Sequence, residues 1–138
     1  EILDYAIVED GGTLVNPMVV DGQIIGGLAQ GIGTALYEEM AFDASGQPLA
    51  STLADYLLPG APEVPMPFIG HMETPSPYTK FGVKGIGEGG AIAPPAAIAN
   101  AINDALRPLG AEMLRSPVTP RRIVEQVLAV RAGERSAA

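Results

Sequence analysis

The composition of the chain restricts what it can be before any motif is considered. Its 138 residues, 47% of them hydrophobic, suffice for the core of one globular domain. Sixteen acidic and eight basic side chains give a net charge of −8, which argues against a nucleic-acid partner because few cations are available for phosphates. The sequence has no Cys and one His, so disulfides, iron–sulfur ligation and a metal site built from side chains are not expected.

Sparse charge indicates that part of the surface is covered. Only 17% of the residues are charged, and we expect another polypeptide to lie against the apolar surface. Neither a signal peptide nor an apolar run of about eighteen residues is visible, which predicts a cytoplasmic location without a membrane span. Because the first residue is Glu1 and not Met, we expect a fragment of a larger subunit, a processed chain or a separately encoded part.

The first part of the chain predicts a strand followed by a long helix. Residues 2–10 are apolar and β-branched and lead into two glycines, with residues 13–15 as a short return. Asn16-Pro17 then supplies an N-cap and a first-turn proline for a helix of about two dozen residues ending near Met40. Each of its five internal glycines costs about 0.5–1 kcal/mol relative to Ala. We therefore expect its backbone to approach another element or a flat ligand closely.

The middle of the chain predicts mostly irregular structure. Residues 41–49 are typical of a turn between short extended segments. The proline-rich stretch that follows cannot form a central strand, because proline lacks the N–H that a sheet requires. Only residues 68–73 alternate well enough for a strand, and we place it at a sheet edge.

The last part of the chain predicts two helices. The first runs from about Gly90 to Leu106, with Pro94-Pro95 either in its first turn or at its true start. The second is capped by Thr119 and runs through Arg131, and the tail at 132–138 is expected to fray. Two strand regions and three helices define an α+β fold.

The segment Gly85-Ile86-Gly87-Glu88-Gly89-Gly90 satisfies the pattern G-x-G-x-x-G. A dinucleotide-binding fold needs an apolar strand before this pattern and an acidic residue about 20 positions after it. Here a polar, proline-broken segment precedes it and Asp104 comes too early, so the pattern is weak. Two interpretations of Glu88 stay open: a helix cap, or a carboxylate in a partly dehydrated cleft, where a raised pKa suits it to proton transfer.

Two long motifs resemble one enzyme family. They are KGIGEGG with the following AIAPPAAIANAINDAL, and VNPMVVDGQIIGGLAQGIGTALYEE about sixty residues upstream, with HMETPSP between them. Together they closely resemble the C-terminal part of the molybdenum hydroxylase large subunit, in the family of xanthine dehydrogenases, aldehyde oxidases and aerobic carbon monoxide dehydrogenases. The resemblance runs from about Leu3 to Val130 and implies that residues 1–138 are a C-terminal segment of a molybdopterin-binding domain.

The resemblance also implies the site residues. Glu88 matches the glutamate that acts as the active-site base and removes a proton from a Mo–OH group. The family holds its metal through the dithiolene of a pterin, which agrees with a chain that lacks Cys. Gln30, Gly31 and Gly33 match a segment on the pterin side, although packing against another helix stays open for the two glycines. The further cofactor contacts implied are Lys84, Gly85, Gly87 and Gly89.

The remaining implications concern cofactors and partners. The predicted cofactor is molybdopterin in its cytosine dinucleotide form, with 2Fe-2S and FAD carried only by partner subunits. The predicted partners are the remainder of the large subunit, an iron–sulfur subunit, an FAD subunit and a small-molecule substrate. The reaction is hydroxylation of a carbon in an aldehyde or N-heterocycle, or oxidation of CO. Two alternatives are a noncatalytic docking or assembly subunit, and an independent nucleotide-binding domain.

Overall fold

The computed structural model describes residues 1–133, so most of the predicted tail at 132–138 lies outside the described residues. The helices are α1 (Pro17–Leu36), α2 (Gly89–Ile92), α3 (Pro94–Leu106) and α4 (Pro120–Arg131), and the strands are β1 (Ala6–Asp10) and β2 (Phe68–Met72). Short 3-10 turns lie at Ala61–Glu63, Lys80–Gly82 and Arg107–Leu109. The predicted α+β fold is confirmed.

The two strands pair in parallel, with Ala6 opposite Phe68. Since the described sheet has only these two strands, β2 is an edge strand, as predicted. β1 is shorter than the predicted strand at 2–10, and the predicted return at 13–15 is wrong. Gly12 has a φ of 62° and forms an isolated antiparallel bridge with Val83 instead. The chain therefore does not fold back along β1 after Gly12. The strand that pairs with β1 is β2, about sixty residues later in the sequence.

α1 begins where the sequence predicts and ends earlier. The side-chain oxygen of Asn16 lies 3.4 Å from the amide of Val19 and caps the helix. Its fully buried side chains recur every four residues on one face: Ile24, Leu28 and Ile32. The helix ends at Leu36 and not near Met40, because the carbonyl of Gly33 accepts the amides of the two residues after Leu36 and closes the last turn.

The region after Glu88 forms two helices, not one. α2 has only four residues, and Pro94 opens α3, so the proline pair marks the start of the longer helix. α4 matches its predicted start, since the Thr119 hydroxyl accepts the amide of Arg122 at 3.4 Å.

The described chain divides into two compact units, each with its own core. The first unit comprises Glu1–Gly31 and Pro59–Ala93 and packs around Ile7, Val20 and Ile24. The second comprises Ile32–Leu58 and the chain from Pro94 onward and packs around Leu106, Ala111, Met113 and Val118. Within the second unit, Arg122 forms an ion pair with Glu39 at 2.5 Å.

Large apolar side chains are exposed in each unit. They include Leu3, Met66 and Tyr78 in the first unit and Leu53, Leu114 and Leu128 in the second. Among residues 1–133, no helix is long and apolar enough to cross a membrane. The exposed apolar surface agrees with the sparse charge of the sequence.

Candidate cofactor-binding cleft and Glu88

A cleft of about 530 Å³ lies in the first unit, between α1 and the loop that contains Glu88. α1 lines it with Gln23, Gly26, Gly27 and Gln30, and the loop and α2 line it with Gly87, Glu88, Ala91 and Ile92. The α1 residues are spaced three, four and seven apart, which places them on one face of the helix. The fold thus brings together the two sequence motifs.

The backbones of α1 and α2 touch beside this cleft. A Cβ atom on Gly27 would lie 2.7 Å from the carbonyl carbon of Gly90, and one on Gly90 would lie 2.6 Å from the carbonyl oxygen of Ile24. Real Cβ contacts essentially never fall below 3.0 Å. The close backbone approach predicted for the glycine-rich helix is confirmed, and Gly27 is the residue of α1 that makes it.

Glu88 precedes α2 but does not cap it with its side chain. Its main chain has a φ of −120° and a ψ of 2°, and the side chain makes no capping hydrogen bond. The main-chain oxygen of Glu88 instead accepts the amide of Ala91 at 2.9 Å. Glu88 lines the cleft and is exposed in this chain. The chain by itself therefore does not provide the dehydrated recess that the sequence suggested.

Gln23 contacts the loop directly. Its side-chain nitrogen donates a hydrogen bond to the carbonyl of Gly87 at 2.5 Å, across 64 residues of sequence. Sequence analysis did not select Gln23, Gly26 or Gly27 as site residues. The seven-residue spacing of Gln23 and Gln30, two turns apart on one face, was the available signal.

The other predicted contacts occupy different places. Gln30 and Gly87 line the cleft, whereas Gly31 and Gly33 are buried in α1 and do not line it. Their burial favours the alternative of helix packing. Gly85 is exposed, with nothing within 4 Å of the position of a Cβ atom.

Lys84 forms an ion pair at the end of β1. Its ammonium lies 3.0 Å from a carboxylate oxygen of Asp10. The amides of Gly12 and Thr74 donate to the same carboxyl group. Hydrogen bonds from these two amides, and then from Lys84, hold the pKa of Asp10 well below its usual range. Lys84 thus fastens the start of the loop to β1 and does not line the cleft.

A second carboxyl group lies against Gly89. A Cβ atom on Gly89 would collide with the carboxylate of Glu9, so only glycine fits beside this side chain as it stands. One oxygen of Glu9 is buried without a hydrogen-bond partner in the described structure. Burial raises the pKa of Glu9, and the neighbouring His71 partly opposes this. His71 itself forms a hydrogen bond with Asp21 at 2.8 Å.

Comparison with known proteins assigns the chain to a family. Residues 1–65 match the molybdopterin cofactor-binding domain family. The nicotine 6-hydroxylase large subunit of Paenarthrobacter nicotinovorans is 48% identical over 85% of this chain and 14% of its own length. The carbon monoxide dehydrogenase large chain of Hydrogenophaga pseudoflava is 40% identical over 86% of the chain and 15% of its own length. The crystal structure of quinoline 2-oxidoreductase from Pseudomonas putida 86 superimposes with a TM-score of 0.85 at 49% identity, over 88% of this chain and 15% of that one.

The chain belongs to the molybdenum hydroxylase large-subunit family. It spans about one-seventh of the length of the relatives it matches, since coverage of the nicotine 6-hydroxylase large subunit is 14%.

The lining of the cleft is compatible with a flat ring that has polar edges, such as a pterin. Within residues 1–133, no group of three His, Cys, Asp or Glu side chains could hold a metal ion. A Cβ atom on Gly26 would meet nothing within 4 Å, which leaves bare backbone as a surface for a flat ring. Gln30, which lines the same cleft, has an amide side chain that contains both donors and an acceptor.

Proposed function

We propose that this chain supplies the general base and part of the cofactor floor of a molybdenum hydroxylase that hydroxylates a ring carbon of an N-heterocycle. The cofactor floor is the face of α1 that lines the cleft and includes Gly26 and Gln30. One observation carries the proposal: the Glu88 side chain makes no capping bond, and Glu88 lines a cleft that Gln30 also lines. A carboxylate used only to cap a helix would be bonded to the first amides of that helix.

The chain's own residues have distinct tasks in this proposal. A molybdenum cofactor held in the cleft would supply the transferred oxygen and would take up two electrons. Glu88 accepts a proton at a carboxylate oxygen, which is the work of a general base. Gln30 holds a polar edge of the pterin through its amide. The contact between Gly27 and Gly90 fixes the distance from α1 to the base.

The remainder of the large subunit completes the site. Glu88 is exposed here and large apolar side chains lie on the surface of each unit, while the relatives are several times longer. Covering the cleft with further polypeptide removes water from the surroundings of Glu88. The same cover buries the exposed apolar side chains.

The proposal includes a cofactor form and redox partners. The matched proteins are named as a large subunit and a large chain, which supports an assembly with other subunits, and in the proposal those subunits accept the electrons. We propose molybdopterin cytosine dinucleotide as the cofactor and place 2Fe-2S and FAD on those partners. A cytoplasmic location for the assembly stays a prediction.

The names of the relatives support the substrate class. The relatives at 48% and 49% identity are named for nicotine and quinoline, whereas the carbon monoxide dehydrogenase chain is 40% identical. Nicotine and quinoline both contain an aromatic ring nitrogen that makes the adjacent carbon electrophilic. CO and aldehydes are the competing substrates in the assay below.

The test uses the assembled enzyme that contains this chain. Glu88→Gln keeps the shape of the side chain but removes the base, so turnover of the N-heterocycle should fall about 100- to 10,000-fold. Molybdenum and pterin contents should match the unmodified enzyme. Glu112→Gln makes the same change at an exposed carboxylate outside the cleft lining and should leave turnover unchanged. Turnover of Glu88→Gln within a few fold of normal refutes the base, and turnover of CO or aldehydes alone refutes the substrate class.

A further inference from the structure

Gln23 is the polar side chain that reaches the residue next to Glu88. Its nitrogen donates to the carbonyl of Gly87 at 2.5 Å, and both residues line the cleft. Because a carbonyl oxygen can only accept, the contact requires the nitrogen of the Gln23 amide and fixes the orientation of that group. The oxygen of the amide is thereby directed away from the Gly87 carbonyl.

The loop around Glu88 is held at few points. On one side, Ile86 packs against the core of the first unit. On the other side, Gly90 packs directly on the backbone of α1. Between these anchors, Gly87 has nothing within 4 Å of its Cβ position, so no side-chain packing fixes its backbone. A glycine in such a place has the largest conformational freedom to lose.

We propose that Gln23 is a positioning residue that sets the direction of the Glu88 carboxylate by fixing the Gly87 carbonyl. Rotation of the peptide after Gly87 changes the backbone angles of Glu88 directly. Gln23 holds that peptide from α1, the same helix that presents Gln30 to the cleft. The base and the cofactor floor therefore share one rigid support, which is the condition for placing a proton acceptor accurately. This inference rests on the proposed role of Glu88.

The experiment compares three variants of Gln23 in the assembled enzyme. Gln23→Met has similar length and cannot donate, so amide hydrogen exchange at residues 87–89 should accelerate about 3- to 10-fold, the loss expected for one hydrogen bond. Gln23→Glu has the same shape but accepts only when ionised, and should accelerate exchange to a similar extent. Gln23→Lys keeps an N–H donor and should retain exchange close to that of the unmodified enzyme. Gln47→Met makes the same chemical change at an exposed glutamine that does not line the cleft.

Kinetics separate positioning from a structural role. In Gln23→Met, kcat should fall about 10-fold or more while KM changes less than about threefold and molybdenum and pterin contents stay normal. Unchanged exchange and unchanged kcat in Gln23→Met overturn the inference. So does loss of molybdenum in parallel with kcat, which indicates a fold defect. Activity in Glu88→Gln refutes the proposed base instead, so the two failures are distinguishable.

Discussion

Two adjacent glycines of α1 should respond oppositely to the same substitution. Gly26→Ala and Gly27→Ala each add one methyl group in a helix interior, where Ala is favoured over Gly by about 1 kcal/mol. The methyl group of Gly26→Ala meets nothing within 4 Å, so the helix gain is retained. The methyl group of Gly27→Ala would lie 2.7 Å from one backbone atom of Gly90 and 2.9 Å from the amide nitrogen of Ala91, well inside the ordinary contact range above 3.4 Å.

The size of the difference follows from these contacts. Backbone atoms cannot rotate away as a side-chain end can, so α2 has to move, and overpacking of this kind costs about 1–3 kcal/mol. After the helix gain, Gly27→Ala should lower the free energy of unfolding by about 0–2 kcal/mol, whereas Gly26→Ala should raise it by about 0.5–1 kcal/mol. The two variants should therefore differ by about 1–3 kcal/mol.

Denaturant unfolding of the protein and its molybdenum content together test the pair. Gly26→Ala should unfold at a higher denaturant concentration but hold less molybdenum and pterin, because its methyl group projects from the cleft floor. Gly27→Ala should unfold earlier. Equal unfolding midpoints for the two variants would refute the backbone contact between α1 and α2. Full cofactor content in Gly26→Ala would refute the assignment of Gly26 to the cofactor floor.

Three further predictions concern single side chains. Asp10→Asn should destabilise the protein at pH 7. The difference in stability from the unmodified protein should shrink as the pH falls below the ordinary aspartate pKa of about 3.9. The reason is that the lowered pKa of Asp10 stabilises the fold only at a pH where Asp10 of the unfolded chain would also be ionised. Glu9→Gln should change stability in the opposite direction. Burial raises the pKa of Glu9, so the charged form weakens the fold above the ordinary glutamate pKa of about 4.3. Removing the charge should therefore stabilise the protein at pH 7 but not at pH 3. Urea unfolding from pH 3 to 7 measures both, and equal pH dependence in the two variants would contradict them. Thr119→Ala should lower the free energy of unfolding by about 1 kcal/mol, since it removes the cap of α4. Thr119→Ser keeps the hydroxyl group and should not lower it. Similar unfolding midpoints for the two variants would contradict the role of Thr119 as the cap.

Features set by neighbouring residues could be predicted from the sequence. Asn16 and Thr119 each start a helix through a bond to a nearby amide, and Pro94 starts α3 because its ring removes an N–H that a continuing helix would use. Such contacts span three or four residues, so the local pattern contains all the information they need. The close approach of the α1 backbone to some other group was predictable from the number of its glycines, although the partner, Gly90, is distant in sequence.

Features set by distant residues could not be predicted from the sequence. Which face of α1 meets α2 depends on where Gly90 lies, so the glycine pattern alone could not identify Gly27 as the glycine in contact with it. The partner of Lys84 is Asp10, 74 residues away, and no pattern in either segment identifies the pair. The parallel pairing of the two strands likewise arises from long-range packing.

The rate at which substrate reduces the bound cofactor in a single turnover tests the central claim most directly, because it measures the chemical step without product release. In Glu88→Gln, loaded with molybdenum and pterin to the level of the unmodified enzyme, this rate should fall at least about 100-fold. A rate within a few fold of the unmodified enzyme at equal cofactor content would show that Glu88 is not the base.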